Sequence, residues 1–221
     1  MQAQFNKLLS ALPLICSLAY AAEQVAIPLD NSEVRVLSVV VHPHDKTRLH
    51  EHKVNRVMVY LDAGAQHFEF EGGKPSDLRW KAGEPKWSPM AGMHTAEITS
   101  AKPVRIVEVE LKKPGSGKDP SGPMDPLKVD PKHYRLEFEN DQVRVVRVKI
   151  GPGETAPMHE HKLDRIVVYL TDQDFRITSA DGKVDNPKRK AGEVSLGTPS
   201  KHTETNVSTK PFEIIMIELK S

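Results

Sequence analysis

The stretch RLHEHKVNRVMVYL, Arg48 to Leu61, returns as PMHEHKLDRIVVYL, Pro157 to Leu170. Two nearby histidines arise easily by chance, but the same pair before the same apolar run, twice in one chain, does not. On a β-strand, residues two apart stand on one face. His50 and His52 therefore aim both imidazoles to one side, with Glu51 turned away, and His159 and His161 do the same around Glu160.

Working outward, Val34-Arg35-Val36 falls on Val143-Arg144-Val145, a shift of 109 residues from 34 to 143. At this shift His50, His52, Arg56, Tyr60 and Gly83 fall on His159, His161, Arg165, Tyr169 and Gly192. One residue is lost after the glycine, so His94 pairs with His202 and Pro103 with Pro211. HEHK, VYL and KAGE each occur twice, and both halves close on Glu-Leu-Lys. The pattern reads as an internal duplication. Between the halves, Lys112 to Pro131 is rich in proline and glycine and reads as a surface linker. The expected division is 22–111, the linker 112–131, and 132–221.

Within each half the pattern is β. VRVLSVVV, NRVMVYL, HFEFEG and VRIVEVEL are short runs rich in Val, Ile and aromatics, separated by Gly-, Pro- and Asp-bearing turns. No segment after the first residues sustains a helical apolar period. The expected class is all-β, a sandwich or barrel of antiparallel hairpins.

Composition excludes several functions. The 221 residues carry a formal net charge of +1 with 5% aromatics, which predicts neither a grip on nucleic acid nor base-stacking platforms. Residues 1–21 combine Lys7, an apolar run from Leu8 to Leu18 and Ala19-Tyr20-Ala21, the pattern of a secretory signal peptide. That reading predicts a periplasmic or secreted protein with no membrane association after cleavage. The single cysteine, Cys16, falls inside this segment, so the mature chain would have neither disulfides nor a thiol nucleophile.

A third histidine follows in each half, His94 and His202, after a glycine turn. Three neutral imidazoles meeting at one point make a metal site with positions left open. The predicted ligands are His50, His52 and His94 in the first half and His159, His161 and His202 in the second, for a divalent metal ion.

On these residues each half resembles a cupin, and the chain a bicupin. The first cupin motif spaces a glycine five residues before His-x-His, as Gly153 stands before His159 and His161. The second spaces a glycine five residues before a proline with a histidine beyond, as Gly83, Pro89 and His94 do; the second half has Pro199, His202 and Asn206. The resemblance implies two tandem cupin (double-stranded β-helix or jelly-roll) barrels with histidines in their mouths. It also implies iron, zinc or manganese as the ion, and association into a homodimer through exposed strands. The chain departs from the pattern where cupins place a metal-binding Glu: Arg56 and Arg165 stand there, and a guanidinium cannot ligate a cation. His44 replaces the first half's motif glycine, and Ile98 its asparagine.

Arg56 and Arg165 have two readings, a fork inside the barrel for a substrate carboxylate or phosphate, or a salt bridge at the rim. Trp87 reads either as a wall of a substrate pocket or, with Trp80, as lining between the barrels. Tyr60 and Tyr169 read as core, and His42, His44 and His67 as exposed. Glu97 and Glu204 are the carboxylates near the third histidines. Two functions follow: an exported metalloenzyme acting on a small polar or anionic molecule by dioxygenase-, isomerase- or hydrolase-like chemistry, or a non-catalytic bicupin that holds a small ligand around vestigial sites.

Overall fold

A computed structural model describes residues 24–221, so the segment read as a signal peptide lies outside the described residues. The first half contains β1 (Gln24–Asp30), β2 (Val34–Val41), β3 (His50–His52), β4 (Arg56–Tyr60), β5 (Gly64–Phe70), β6 (Ser76–Trp80), β7 (Glu84–Ser88), β8 (Ala91–Ile98) and β9 (Val104–Leu111). After α1 (Pro126–Val129) come β10 (Tyr134–Glu139), β11 (Val143–Ile150), β12 (Thr155–His161), β13 (Arg165–Tyr169) and β14 (Gln173–Ser179). The chain ends with β15 (Val184–Asp185), β16 (Lys188–Arg189), β17 (Val194–Gly197), β18 (Ser200–Asn206) and β19 (Phe212–Leu219). Among the described residues no helix is long and apolar enough to cross a membrane.

Each half is a barrel of two antiparallel sheets. A five-stranded sheet runs β1-β2-β9-β4-β7 in the first and β10-β11-β19-β13-β17 in the second, the same order. It is completed by β3-β8-β5-β6 in barrel 1 and by β12-β18-β14-β15 in barrel 2. The filling of barrel 1 includes Val39, Val41, Tyr60, Trp80, Ile98 and Ile106, and that of barrel 2 includes Val146, Val148, Ile150, Phe175, Phe212 and Met216.

A third apolar layer lies between the barrels. Val34, Val36, Val57, Val59, Val107 and Val109 from barrel 1 meet Val143, Val145, Ile166, Val168, Ile215 and Ile217 from barrel 2. The central strands of each five-stranded sheet, β2, β9 and β4 in the first and β11, β19 and β13 in the second, thus pack on both faces, because alternate residues of a strand point to opposite sides. The contact is reciprocal. The turn at Gly83 abuts Leu170, and the turn at Gly192 abuts Leu61, the equivalent pair with the halves exchanged. Both glycines have positive φ, 75° and 92°, a conformation that L side chains rarely adopt. Trp87 packs against this layer, whereas Trp80 lies inside barrel 1 stacked on Tyr60, with ring centroids 4.2 Å apart. The lining role therefore holds for Trp87 alone.

The linker differs from its reading as surface chain. Asp125 caps α1 by accepting from Leu127 N at 3.0 Å. Asp125, Pro126 and Asp130 are buried, and Glu160 N of β12 donates to Met124 O at 2.8 Å. The last third of the linker is therefore part of barrel 2. Proline at the first helical position explains how so proline-rich a segment forms a turn of helix.

Candidate metal centres

His50 and His52 lie two apart on β3, and the register β3–β8 sets His94 directly opposite His50. In barrel 2, His202 of β18 faces His159 of β12. Directly opposed residues of an antiparallel pair bring their side chains together. This register turns a two-residue motif into a trio. In each trio the donor nitrogens lie within 4.8 Å of one another.

Backbone carbonyls fix the ring orientations. Nδ1 of His50 donates to Arg48 O at 2.7 Å, Nδ1 of His94 to Gly92 O at 2.7 Å, and Nδ1 of His159 to Pro157 O at 2.8 Å. With the proton on Nδ1, each Nε2 presents its lone pair to the interior, the arrangement found at metal-bound histidines. The Nε2 atoms of His50 and His52 are 3.1 Å apart. Two nitrogens each about 2.1 Å from one ion would be about 3.0–3.4 Å apart. The donor set fits a metal ion.

Barrel 2 is the drier site. His159, His161 and His202 are all buried. Burial lowers all three below the usual imidazole range, His202 to about 2, and Arg165 depresses them further. They are neutral, which is the form that ligates. Behind His161 runs a buried ionic chain: His161 Nδ1 is 3.4 Å from Glu218 Oε1, Arg144 Nε donates to Glu218 Oε2 at 2.5 Å, and Arg144 Nη1 donates to Asp125 Oδ2 at 2.6 Å. The linker cap is thereby tied to a trio member.

Beside this trio, Tyr134 donates its hydroxyl to His159 Nε2 at 3.1 Å. Glu204 shares the inward face of β18 with His202 and Asn206. Burial pushes its carboxyl up to about 7, against the opposing pull of Arg165. Asn206 clips a loop, donating to Ile150 O and Lys210 O. Glu97 does not join its trio. Neighbouring Ala96 and Ile98 are buried, and Glu97 faces out beside His44 at 3.5 Å. The inward position equivalent to Glu204 is Ala96.

In barrel 1 the trio is more open, with His94 buried and His50 and His52 half-buried. Phe68 and Phe70 pack against His94, with centroids 5.9 and 5.3 Å away. Burial, then Arg56, lowers His52 to about 3. Both arginines lie inside their barrels, Arg56 at 6% and Arg165 at 9% exposure, so the rim reading is corrected for both. Arg56 nonetheless has an acid partner within the barrel, donating from Nη1 to Glu108 Oε1 at 3.0 Å. Trp87 lies opposite Val57 of the inter-barrel face and does not line the trio. His67 and Asp77 pair on the exterior at 2.7 Å.

Neither a protein-family model nor a curated protein sequence matches this chain. Solved structures do. AerE from Microcystis aeruginosa superposes with TM-score 0.62 at 15% identity, over 90% of this chain and 92% of that one. A cupin 2 conserved barrel domain protein from Leptotrichia buccalis gives 0.54 at 14%, over 90% of each. Oxalate decarboxylase from Bacillus subtilis, a protein with Mn(II) centres, gives 0.60 at 12%, over 86% of this chain and 69% of that one. The fold is a pair of cupin barrels.

Against the cupin pattern, the carboxylates inside these barrels come from unexpected strands. Glu108 and Glu110 of β9 lie with His52, their oxygens and its nitrogen all within 4.8 Å. Glu218 of β19 backs His161. None of the three was singled out in the sequence. VEVEL and IMIEL look like strands with apolar residues inward and glutamates in solvent, whereas here the apolar set faces the other barrel and the glutamates face the cupin interior. Tyr134 was missed because its position in the repeat is Val25, so no matching residue drew attention to it.

Proposed function

We propose that this is an exported metal-binding bicupin, in which each barrel holds a divalent ion on three histidines and barrel 2 acts on a small polar or anionic molecule. The observation that carries the reading is the paired trio: six imidazoles in two sets, each set with its nitrogens within 4.8 Å. A bound ion would supply Lewis acidity at that point. The chain's own residues supply the rest in barrel 2. Glu204 is a buried carboxyl that can exchange a proton, Tyr134 is a hydroxyl donor beside it, and Arg165 is a buried fixed cation suited to a small anion.

Export rests on the pattern of residues 1–21 alone. A homodimer through β1 belongs to the same reading, because Val25 and Ile27 of that edge strand are about half exposed. The non-catalytic reading has its own support in the enclosure of the barrel 2 trio, whose His159 is fully shielded from solvent.

Metal analysis of the purified protein separates the outcomes. About one ion per intact trio is expected at saturation, and His159→Ala with His161→Ala should remove half. Metal content unaffected by those changes would end the case for barrel 2. For chemistry, Glu204→Gln should keep the ion while abolishing turnover in a panel of small carboxylates, with oxalate, the substrate named for one structural neighbour, assayed first. A metal-loaded wild type inert to the whole panel would favour the binding role.

A further inference from the structure

The two trios differ in what their arginines do. In barrel 2, Arg165 is tied back: Nη1 donates to Thr198 O at 2.5 Å and Nη2 to Ser200 Oγ at 3.0 Å. Gly197 makes room for it, since a Cβ there would stand 2.9 Å from the guanidinium carbon.

In barrel 1, Arg56 points the other way. Its Nη1 donates to His52 Nε2 at 2.8 Å and to Glu108 Oε1 at 3.0 Å, while Nη2 donates to Ser88 Oγ at 2.9 Å. Nη1 is therefore inserted between an imidazole lone pair and a carboxylate, and it consumes the lone pair that an ion would need. His52, Glu108 and Glu110 together form a cation-favouring pocket, and the chain fills it with its own cation. The residue equivalent to Glu108 in barrel 2 is Met216, which cannot hold an arginine in this way.

We infer that Arg56 is an internal occupant of the barrel 1 metal position. In barrel 2 the donor on a trio nitrogen is the neutral Tyr134 hydroxyl, on His159 Nε2 at 3.1 Å, with no charge to repel an ion. Barrel 2 therefore fills first, and barrel 1 takes an ion only when the charged Arg56 is drawn off His52, leaving Glu108 as a carboxylate for the incoming ion. The missing motif carboxylate of barrel 1 is thus replaced from the neighbouring strand β9, and it is masked by the arginine that displaced it. This inference rests on the metal reading of the trios.

The test is a calorimetric titration of the metal-free full-length protein with Zn(II). Wild type should show two steps, the second about 10–100-fold weaker, the range by which groups surrounding the ligands alter metal affinity. His159→Ala with His161→Ala should remove the tight step, and His50→Ala with His52→Ala the weak one. Arg56→Gln should tighten the weak step about 10-fold or more. That change removes the cation paired with Glu108 while Glu110 stands beside it, so Arg56→Gln with Glu110→Gln provides a variant with one fewer negative charge in this half-buried pair, and the same tightening is expected. Two equal steps in wild type, or a second step unmoved or weakened in both Arg56 variants, would overturn the inference and leave the metal reading intact. Absence of zinc binding in both barrels would overturn both.

Discussion

Arg35 and Arg144 occupy the same place in the two halves and meet opposite surroundings. The Arg35 side chain is 39% exposed and lies 3.8 Å from Glu110, while Arg144 is sealed between Asp125 and Glu218. An exposed ion pair contributes at most about 1 kcal/mol, whereas stripping one partner from a buried set costs about 3–5 kcal/mol. Arg144→Ala should therefore lower unfolding free energy by about 3–5 kcal/mol, and Arg35→Ala by about 1 kcal/mol or less, measured by denaturant titration. Equal losses would contradict the burial assigned to Arg144. Because Glu218 also backs His161, Arg144→Ala should weaken metal binding in barrel 2 by about 10-fold or more. Barrel 1 should be unaffected, which a titration of each trio variant would reveal.

At the scale of the element, β19 carries the clearest consequence of a strand buried on both faces. Ile217 is fully buried in the inter-barrel layer, and its neighbour Glu218 is fully buried on the other face. Ile217→Ala should cost about 2–5 kcal/mol, as for other core truncations. A melt showing a loss below about 1 kcal/mol would mean that this face is not packed. The limits of the sequence reading lie in this same strand. The bounds of β2 and β9, the histidine trios and the barrel pair were legible, because they depend on local periodicity and on spacing along one strand. The inward turn of Glu108, Glu110 and Glu218 was not, because alternation shows that a strand has two faces without showing which one meets the second barrel. Glu97 was misplaced for a related reason: nearness to His94 in sequence ignored the parity that turns it outward. The docking of Asp125 depends on Arg144 and Glu218, far along the chain, and leaves no local trace.

At the scale of the molecule, the apolar layer makes each barrel a structural half. Cutting the chain at the linker would expose Val143, Val145, Ile166, Val168, Ile215 and Ile217 on barrel 2 as one contiguous face. Such a face is rare on a monomer in water. The fragment 112–221 should therefore self-associate, with an apparent mass of at least a dimer in sedimentation, and a stable monomer would contradict the two-faced sheet. The reciprocal contacts of Gly83 with Leu170 and Gly192 with Leu61 make the layer sensitive at equivalent points. The central claim remains that each trio shares one ion. X-ray absorption at the metal edge of the zinc-loaded protein tests it most directly. The account predicts scattering from three imidazole rings per ion, with nitrogens at about 2.0–2.1 Å. An ion bound without imidazole scattering would contradict it.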